Sequence, residues 1–175
     1  SLDAMGGDNA PEIVVEGAAQ SKIRYPELKF SFFGNENKIL PLINSLEILK
    51  NSNIVHTNDY IDANEKPSVA VRKGKNSSMG MAIQLVKSGK ADALVSAGNT
   101  GALMAMSKIF LKPMDGITRP AIAAFFPTIT GESCMLDLGA NIECDAKNLV
   151  QFAFMGQAFA NIVMGIKDPT ISLLN

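Results

Sequence analysis

Short apolar runs, each closed by a glycine or polar turn and followed by a segment of helical periodicity, recur along the chain. That alternation limits the possible folds more than any other feature. "LKFSFFG" stops at Gly34 and leads into the helical "ENKILPLINSL", and "SNIVHT" follows as a further short strand. "SSMGMAIQLVKSGK" (Ser77 to Lys90) reads as a helix, "ADALVSAG" as a buried strand, and "NTGALMAMSKIFLK" as a helix beginning directly at that strand's end. "RPAIAAFFPT" and "SCMLDLG" read as strands, Ala146 to about Met164 as a helix, and "TISLL" as a last strand. Near the start, Asn9 fits an N-cap with Glu12 three residues on, and Ile13, Val14, Gly17, Ala18 and Ile23 keep helical spacing up to Tyr25-Pro26. This order of elements predicts an α/β fold with a mostly parallel sheet and helices on both faces.

A length of 175 residues suits one core, so residues 1–175 are expected to form a single α/β domain. Ser1 and Leu2 are too few to make the strand that should precede "DAMGGD", and the last residues stop at a strand. The chain is therefore expected to be an incomplete fragment of a larger catalytic unit. The formal net charge of -1 provides no global attraction for nucleic acid, so an anion site must be local. Cys134 and Cys144 have neither a metal-ligand pattern nor the density of a disulfide scaffold, which fits a reducing cytoplasm; no metal or cofactor is expected. No apolar run reaches the roughly 18 residues of a membrane span. The single histidine, His56, has no nucleophile signature beside it, which argues against a Ser-His-Asp arrangement.

Three glycine turns fall where strands lead into helices, the position at which open α/β sheets bind ligands. They are "DAMGGDN" (Asp3 to Asn9), "SAGNTGA" (Ser96 to Ala102) and "DLGAN" (Asp137 to Asn141). Glycine after a strand is commonly turn chemistry alone, but three such turns together suggest a phosphate-sized site. Asn99 and Thr100 stand at a helix start, where the macrodipole favours an anion. "VRKGKNSSM" sets Arg72, Lys73 and Lys75 before Ser77 and Ser78; it suits a phosphate or an acidic partner surface, and equally a solvated loop whose Ser77 caps a helix. Arg119 in "ITRPA" is either a further anion contact or a surface arginine before a strand. "GGDN" and "GNTG" match neither a Walker A loop nor G-x-G-x-x-G.

Taken in order, "DAMGGDNAP", "KPSVAVRKGKNSSM", "SAGNTGALMA", "RPAIAAFFP", "LDLGANIEC" and "LVQFAFMG" resemble the bacterial phosphate acyltransferase family, PlsX, over nearly the whole chain. The resemblance implies transfer of a long-chain acyl group from acyl carrier protein to inorganic phosphate. A downstream membrane glycerol-3-phosphate acyltransferase would then use the acyl phosphate. It implies also a homodimer, a fold similar to isocitrate and isopropylmalate dehydrogenases, and a cytoplasmic location with peripheral contact at the inner membrane face. Two positions depart from the family's pattern: Asn9 stands where histidine is common, and Gly74 interrupts a basic run. A phosphotransacetylase-like transfer from coenzyme A and a non-catalytic anion-binding fragment are the alternative functions.

Phosphate is itself a nucleophile and a thiolate a good leaving group, so positioning and electrostatics could suffice for such a reaction. Asn99, Thr100, Asp8 and Asn141 are the expected catalytic residues. Gly6, Gly7, Arg72, Lys73, Ser77, Ser78, Gly98, Gly101, Arg119 and Gly139 are the expected substrate-binding ones. Backbone N–H groups from Gly98 to Gly101, with Asn99, Thr100 and Asn141, would hold phosphate, while Arg72 or Lys73 balances charge. Asp3, Asp8 or Asp137 would orient a donor or accept a proton.

Overall fold

A computed structural model describes residues 1–129 and 131–174; Thr130 and Asn175 lie outside the described residues. The chain divides into two compact units, Ser1–Lys112 and Pro113–Asn175. The first is built on a parallel sheet in the order β1 (Leu2–Asp3), β2 (Ser31–Gly34), β3 (Asn53–His56), with Leu2 opposite Phe32 and Phe32 opposite Ile54. Its helices are α1 (Glu12–Arg24), α2 (Glu36–Asn44), α3 (Pro67–Lys73), α4 (Ser78–Lys87) and α5 (Thr100–Leu111). The second unit holds an antiparallel hairpin, β4 (Ala123–Thr128) and β5 (Gly131–Leu136), followed by α6 (Ala146–Val163). The α/β class and the parallel arrangement of the first three strands agree with the sequence pattern.

Helical spacing builds the first core. Val15, Ala18 and Ala19 of α1 and Ile39 and Ile43 of α2 fall on single helix faces and meet Leu2, Phe32 and Leu49. Each large side chain buried there contributes about 1.5–3 kcal/mol of transfer free energy. A second core joins α3, α4 and α5 through Ala70, Met79, Ile83, Ala102 and Met106. It fixes the start of α5, which matters for the site below. The helix over "PSVAVRK" has Pro67 in its first turn, where a missing N–H costs nothing.

Several expectations are corrected. Leu2 and Asp3 do form a strand, because hydrogen bonds flank it on both sides: Ala4 N–H donates to Phe33 O and Asp3 N–H to Val95 O, each at 3.0 Å. "ADALVSAG" is not a buried strand; it reduces to one bridge between Val95 and Leu2, and Val95, paired on one side only, is 62 % exposed. Asn9 is not the side-chain cap of α1. Pro11 occupies that position without a side-chain hydrogen bond, while Asn9 contributes only its carbonyl, which accepts from Ile13 N–H at 3.1 Å. β4 and β5 run antiparallel because two intervening residues cannot make the crossover that parallel strands require. "TISLL" joins no ladder among the described residues.

Candidate functional site

The end of β1 places Asp3 at the base of the first glycine turn, only 2 % exposed. Its Oδ2 accepts from Ser96 Oγ at 2.7 Å, and its Oδ1 accepts from Met5 N–H at 3.3 Å. Ser96 Oγ in turn accepts from Gly98 N–H at 3.1 Å. A buried carboxylate thus ties the first glycine turn to the second. The two turns touch backbone to backbone. A Cβ built on Gly6 would lie 2.6 Å from Asp3 Oδ2 and 2.9 Å from Gly98 N, and one on Gly98 would lie 3.2 Å from Gly6 Cα. Gly7 adds a φ of +102°, which side chains rarely adopt.

These turns line a cleft of about 600 Å³ with Gly7, Asp8, Gly98, Asn99, Thr100 and Gly101 on its wall and the Tyr60–Ala63 loop beside them. Among the described residues, the backbone N–H groups of Gly7, Asp8, Thr100 and Gly101 have no protein acceptor. Those of Thr100 and Gly101 open α5, so the helix dipole adds to their positive potential. Among the described residues, the cleft's carboxylates are Asp8 and Asp62, and no lysine or arginine lines it. Backbone dipoles are therefore its source of positive potential.

Asn99 does not offer a free side chain to a ligand. Its Oδ1 caps α5 by accepting from Ala102 N–H at 2.9 Å, and its Nδ2 donates to Ala63 O and Glu65 O at 2.9 Å and reaches Asp62 O at 3.4 Å. Thr100 is exposed at the first position of the helix. Ser77 is the helix cap of the alternative reading: its Oγ accepts from Gly80 N–H at 3.1 Å and donates to Gly74 O at 2.6 Å. Ser77 and Ser78 are buried, and neither lines the cleft. Arg72 and Lys73 are exposed on the last turn of α3 and do not line it either. Gly74 is buried, and a Cβ there would lie 2.8 Å from Ile61 Cδ1 and 2.9 Å from Met106 Cε. Glycine at that break in the basic run leaves room for both side chains.

In the second unit, Asp137 organises the "DLGAN" turn. Its Oδ2 accepts from the Asn141 backbone and amide, both at 2.8 Å, and its Oδ1 from Ile122 N–H at 3.0 Å. Burial pushes the Asp137 carboxyl up, but hydrogen bonds from Ile122, Asn141 and Ala140 outweigh it and hold the pKa below its ordinary value. Asn141 Nδ2 also donates to Pro120 O at 2.9 Å, and Arg119 Nη1 donates to Glu143 O at 2.8 Å. Gly139 supplies a φ of +78°. Asn141 and Arg119 thus spend these donors on their own turn. Cys134 is half-buried in β5, where burial pushes its thiol up, and Cys144 is exposed.

Sequence reasoning missed Ser96 as the partner of Asp3, and it missed the Tyr60–Ala63 wall. The acidic, amide-rich run "NDYIDANE" signals a turn, which Asn64 N–H closes onto Asp62 Oδ1 at 2.8 Å, but nothing in it points toward α5.

Comparison with protein families matches residues 1–175 to the one described as fatty acid synthesis protein. The chain belongs to this family. Three relatives that match the chain over its whole length are named phosphate acyltransferase. That of Rhodospirillum centenum is 56% identical over 176 residues, which are 100% of this chain and 50% of the relative. That of Parvibaculum lavamentivorans is 51% identical over 177 residues, 100% of this chain and 49% of the relative. That of Paramagnetospirillum magneticum is 49% identical over 176 residues, again 100% and 50%. The chain therefore spans about half the length of the curated relatives it matches. Among the described residues no helix is long and apolar enough to cross a membrane, and no group of three or more His, Cys, Asp or Glu could hold a metal ion.

Proposed function

We propose that this protein transfers a long-chain acyl group from acyl carrier protein to inorganic phosphate, and that the facing turns at Gly6–Gly7 and Gly98–Gly101 form its phosphate site. One observation carries the site: Gly7, Asp8, Thr100 and Gly101, whose backbone N–H groups have no protein acceptor among the described residues, line a single cleft built on glycines whose backbones touch. Such a cradle binds a phosphate-sized oxyanion and costs little reorganisation during reaction. The name shared by the relatives supports phosphate as the acyl acceptor.

In this reading a phosphate oxygen attacks the thioester carbonyl carbon. A C–O bond forms, the C–S bond breaks, and the proton lost by hydrogen phosphate goes to the departing thiolate, leaving acyl phosphate and a free thiol. No side-chain nucleophile is required. The N–H groups of Thr100 and Gly101, at the positive end of α5, hold the attacking phosphate. Asp8, at the cleft wall, relays the proton from phosphate to sulfur. The exposed Arg72 and Lys73 meet the acidic surface of the carrier protein, so association weakens with salt. The family resemblance further supports a homodimer at the cytoplasmic side of the membrane, passing acyl phosphate to a glycerol-3-phosphate acyltransferase.

The deciding experiment measures acyl phosphate, trapped as the hydroxamate, when the full-length protein is given phosphate and a long-chain thioester of acyl carrier protein or of coenzyme A. Product from the carrier-protein thioester is expected. Product from the coenzyme A thioester alone would replace the donor, and no product from either would defeat the reading.

A further inference from the structure

The geometry points to Asn99 as a positioning residue: one planar amide caps α5 and latches the 62–65 loop against the proposed phosphate cleft. The inference rests on that reading of the cleft and adds the element that holds its second wall in place. The Asn99 Oδ1 end bonds Ala102 N–H at 2.9 Å, while the Nδ2 end bonds Ala63 O and Glu65 O, both at 2.9 Å, with Asp62 O at 3.4 Å. Thirty-four or more positions separate these partners in sequence. Tyr60, Ile61, Asp62 and Ala63 line the cleft, so whatever holds this loop sets the cleft's width. Among the described residues, no other side chain from outside the loop bonds residues 60–65; the remaining polar contacts, Asn64 N–H to Asp62 Oδ1 and Glu65 N–H to Asp62 O, are internal. Ile61, packed on the α3–α5 core, is the loop's apolar anchor, and Asn99 is its polar one.

The amide also acts on charge. Three carbonyl oxygens, each the negative end of a peptide dipole, converge on one side chain beside a site proposed for an anion. The two hydrogens of the NH2 group go to Ala63 O and Glu65 O, with Asp62 O at the longer distance, whereas an acceptor in their place would repel all three. Asn99→Asp separates the two functions of the residue: it keeps an oxygen for Ala102 N–H, in a place where negative charge suits the helix N-terminus, but puts a carboxylate against the loop carbonyls. Asn99→Ser also keeps a cap and loses the latch without adding charge. Both variants retain a capped α5, so both are expected to fold.

The test uses the full-length protein and reads amide hydrogen exchange in residues 60–65, inorganic phosphate binding by calorimetry, and the kinetics of acyl phosphate formation. Faster exchange confined to the loop is expected in both variants. Phosphate Kd and KM should rise about tenfold or more, most in Asn99→Asp, with kcat within about threefold of wild type. Unchanged loop exchange in Asn99→Ser overturns the latch. Faster exchange with unchanged phosphate Kd and KM makes Asn99 a stabilising contact only and overturns its positioning role. A wild-type protein that forms no acyl phosphate defeats the proposed reaction instead, while exchange and phosphate binding still decide Asn99.

Discussion

Replacing Ser96 by alanine tests whether the bond between the two glycine turns is what holds the cleft together. Ser96 Oγ donates to Asp3 Oδ2 at 2.7 Å and accepts from Gly98 N–H at 3.1 Å, and Asp3 is 2 % exposed. After the substitution the carboxylate keeps, among the described residues, only the long contact from Met5 N–H, 3.3 Å, on its other oxygen. A hydrogen bond to a charged group contributes about 1.5–3 kcal/mol and a neutral one about 1 kcal/mol, so Ser96→Ala should cost about 2–4 kcal/mol. That is a large share of the roughly 5–15 kcal/mol that holds a typical domain together. Urea unfolding followed by circular dichroism measures the loss, and Asp3→Ala with the double variant completes a cycle. The two single costs should fail to add by about 1 kcal/mol or more, because both remove the same bond. A coupling below about 0.5 kcal/mol would show that the turns are held by other contacts, and would refute the reasoning.

Three further outcomes follow from the same geometry. Gly6→Ala drives a Cβ to 2.6 Å from Asp3 Oδ2 and 2.9 Å from the Gly98 backbone, so it should separate the turns, cost about 1–3 kcal/mol in thermal unfolding, and weaken phosphate binding in calorimetry. Gly80→Ala should lower Tm although alanine is the better helix former by about 1 kcal/mol, because its Cβ would overlap the Gly74 carbonyl oxygen; a higher Tm would contradict this packing. The Asp137 carboxyl titrates below its unfolded value, so its contribution to stability is complete above about pH 4 and is lost as pH falls through the folded value. Urea midpoints at about pH 6 and pH 3 should therefore differ less in Asp137→Asn than in wild type, and equal differences would refute the assignment.

Features that depend on neighbours in sequence are legible in the sequence itself. The helix beginning at Thr100 straight after the strand-like run, the cap at Ser77 and the helix from Ala146 each need only a side chain and N–H groups within a few residues. The same holds for the parallel character of the first strands, since helices intervene between them. The first turn of α1 departs from the sequence pattern for a local reason: Asn9 and Glu12 have capping-box spacing, but Pro11 takes the cap position. The hairpin of β4 and β5 was missed because apolar runs identify strands without their partners.

The sequence by itself determined which turns carry glycine, and hence where backbone N–H groups could approach an anion, because conformational freedom belongs to the residue. Its motifs also determined the family. Tertiary structure alone decided what those residues do. Asp3, expected to orient a donor or accept a proton, is buried against Ser96, a partner 93 positions away. Asn99, expected to touch phosphate, spends its amide on a loop more than thirty positions distant. Hydrogen bonds between remote segments leave no period or spacing in a single chain, because they exist only once the chain has brought those segments together.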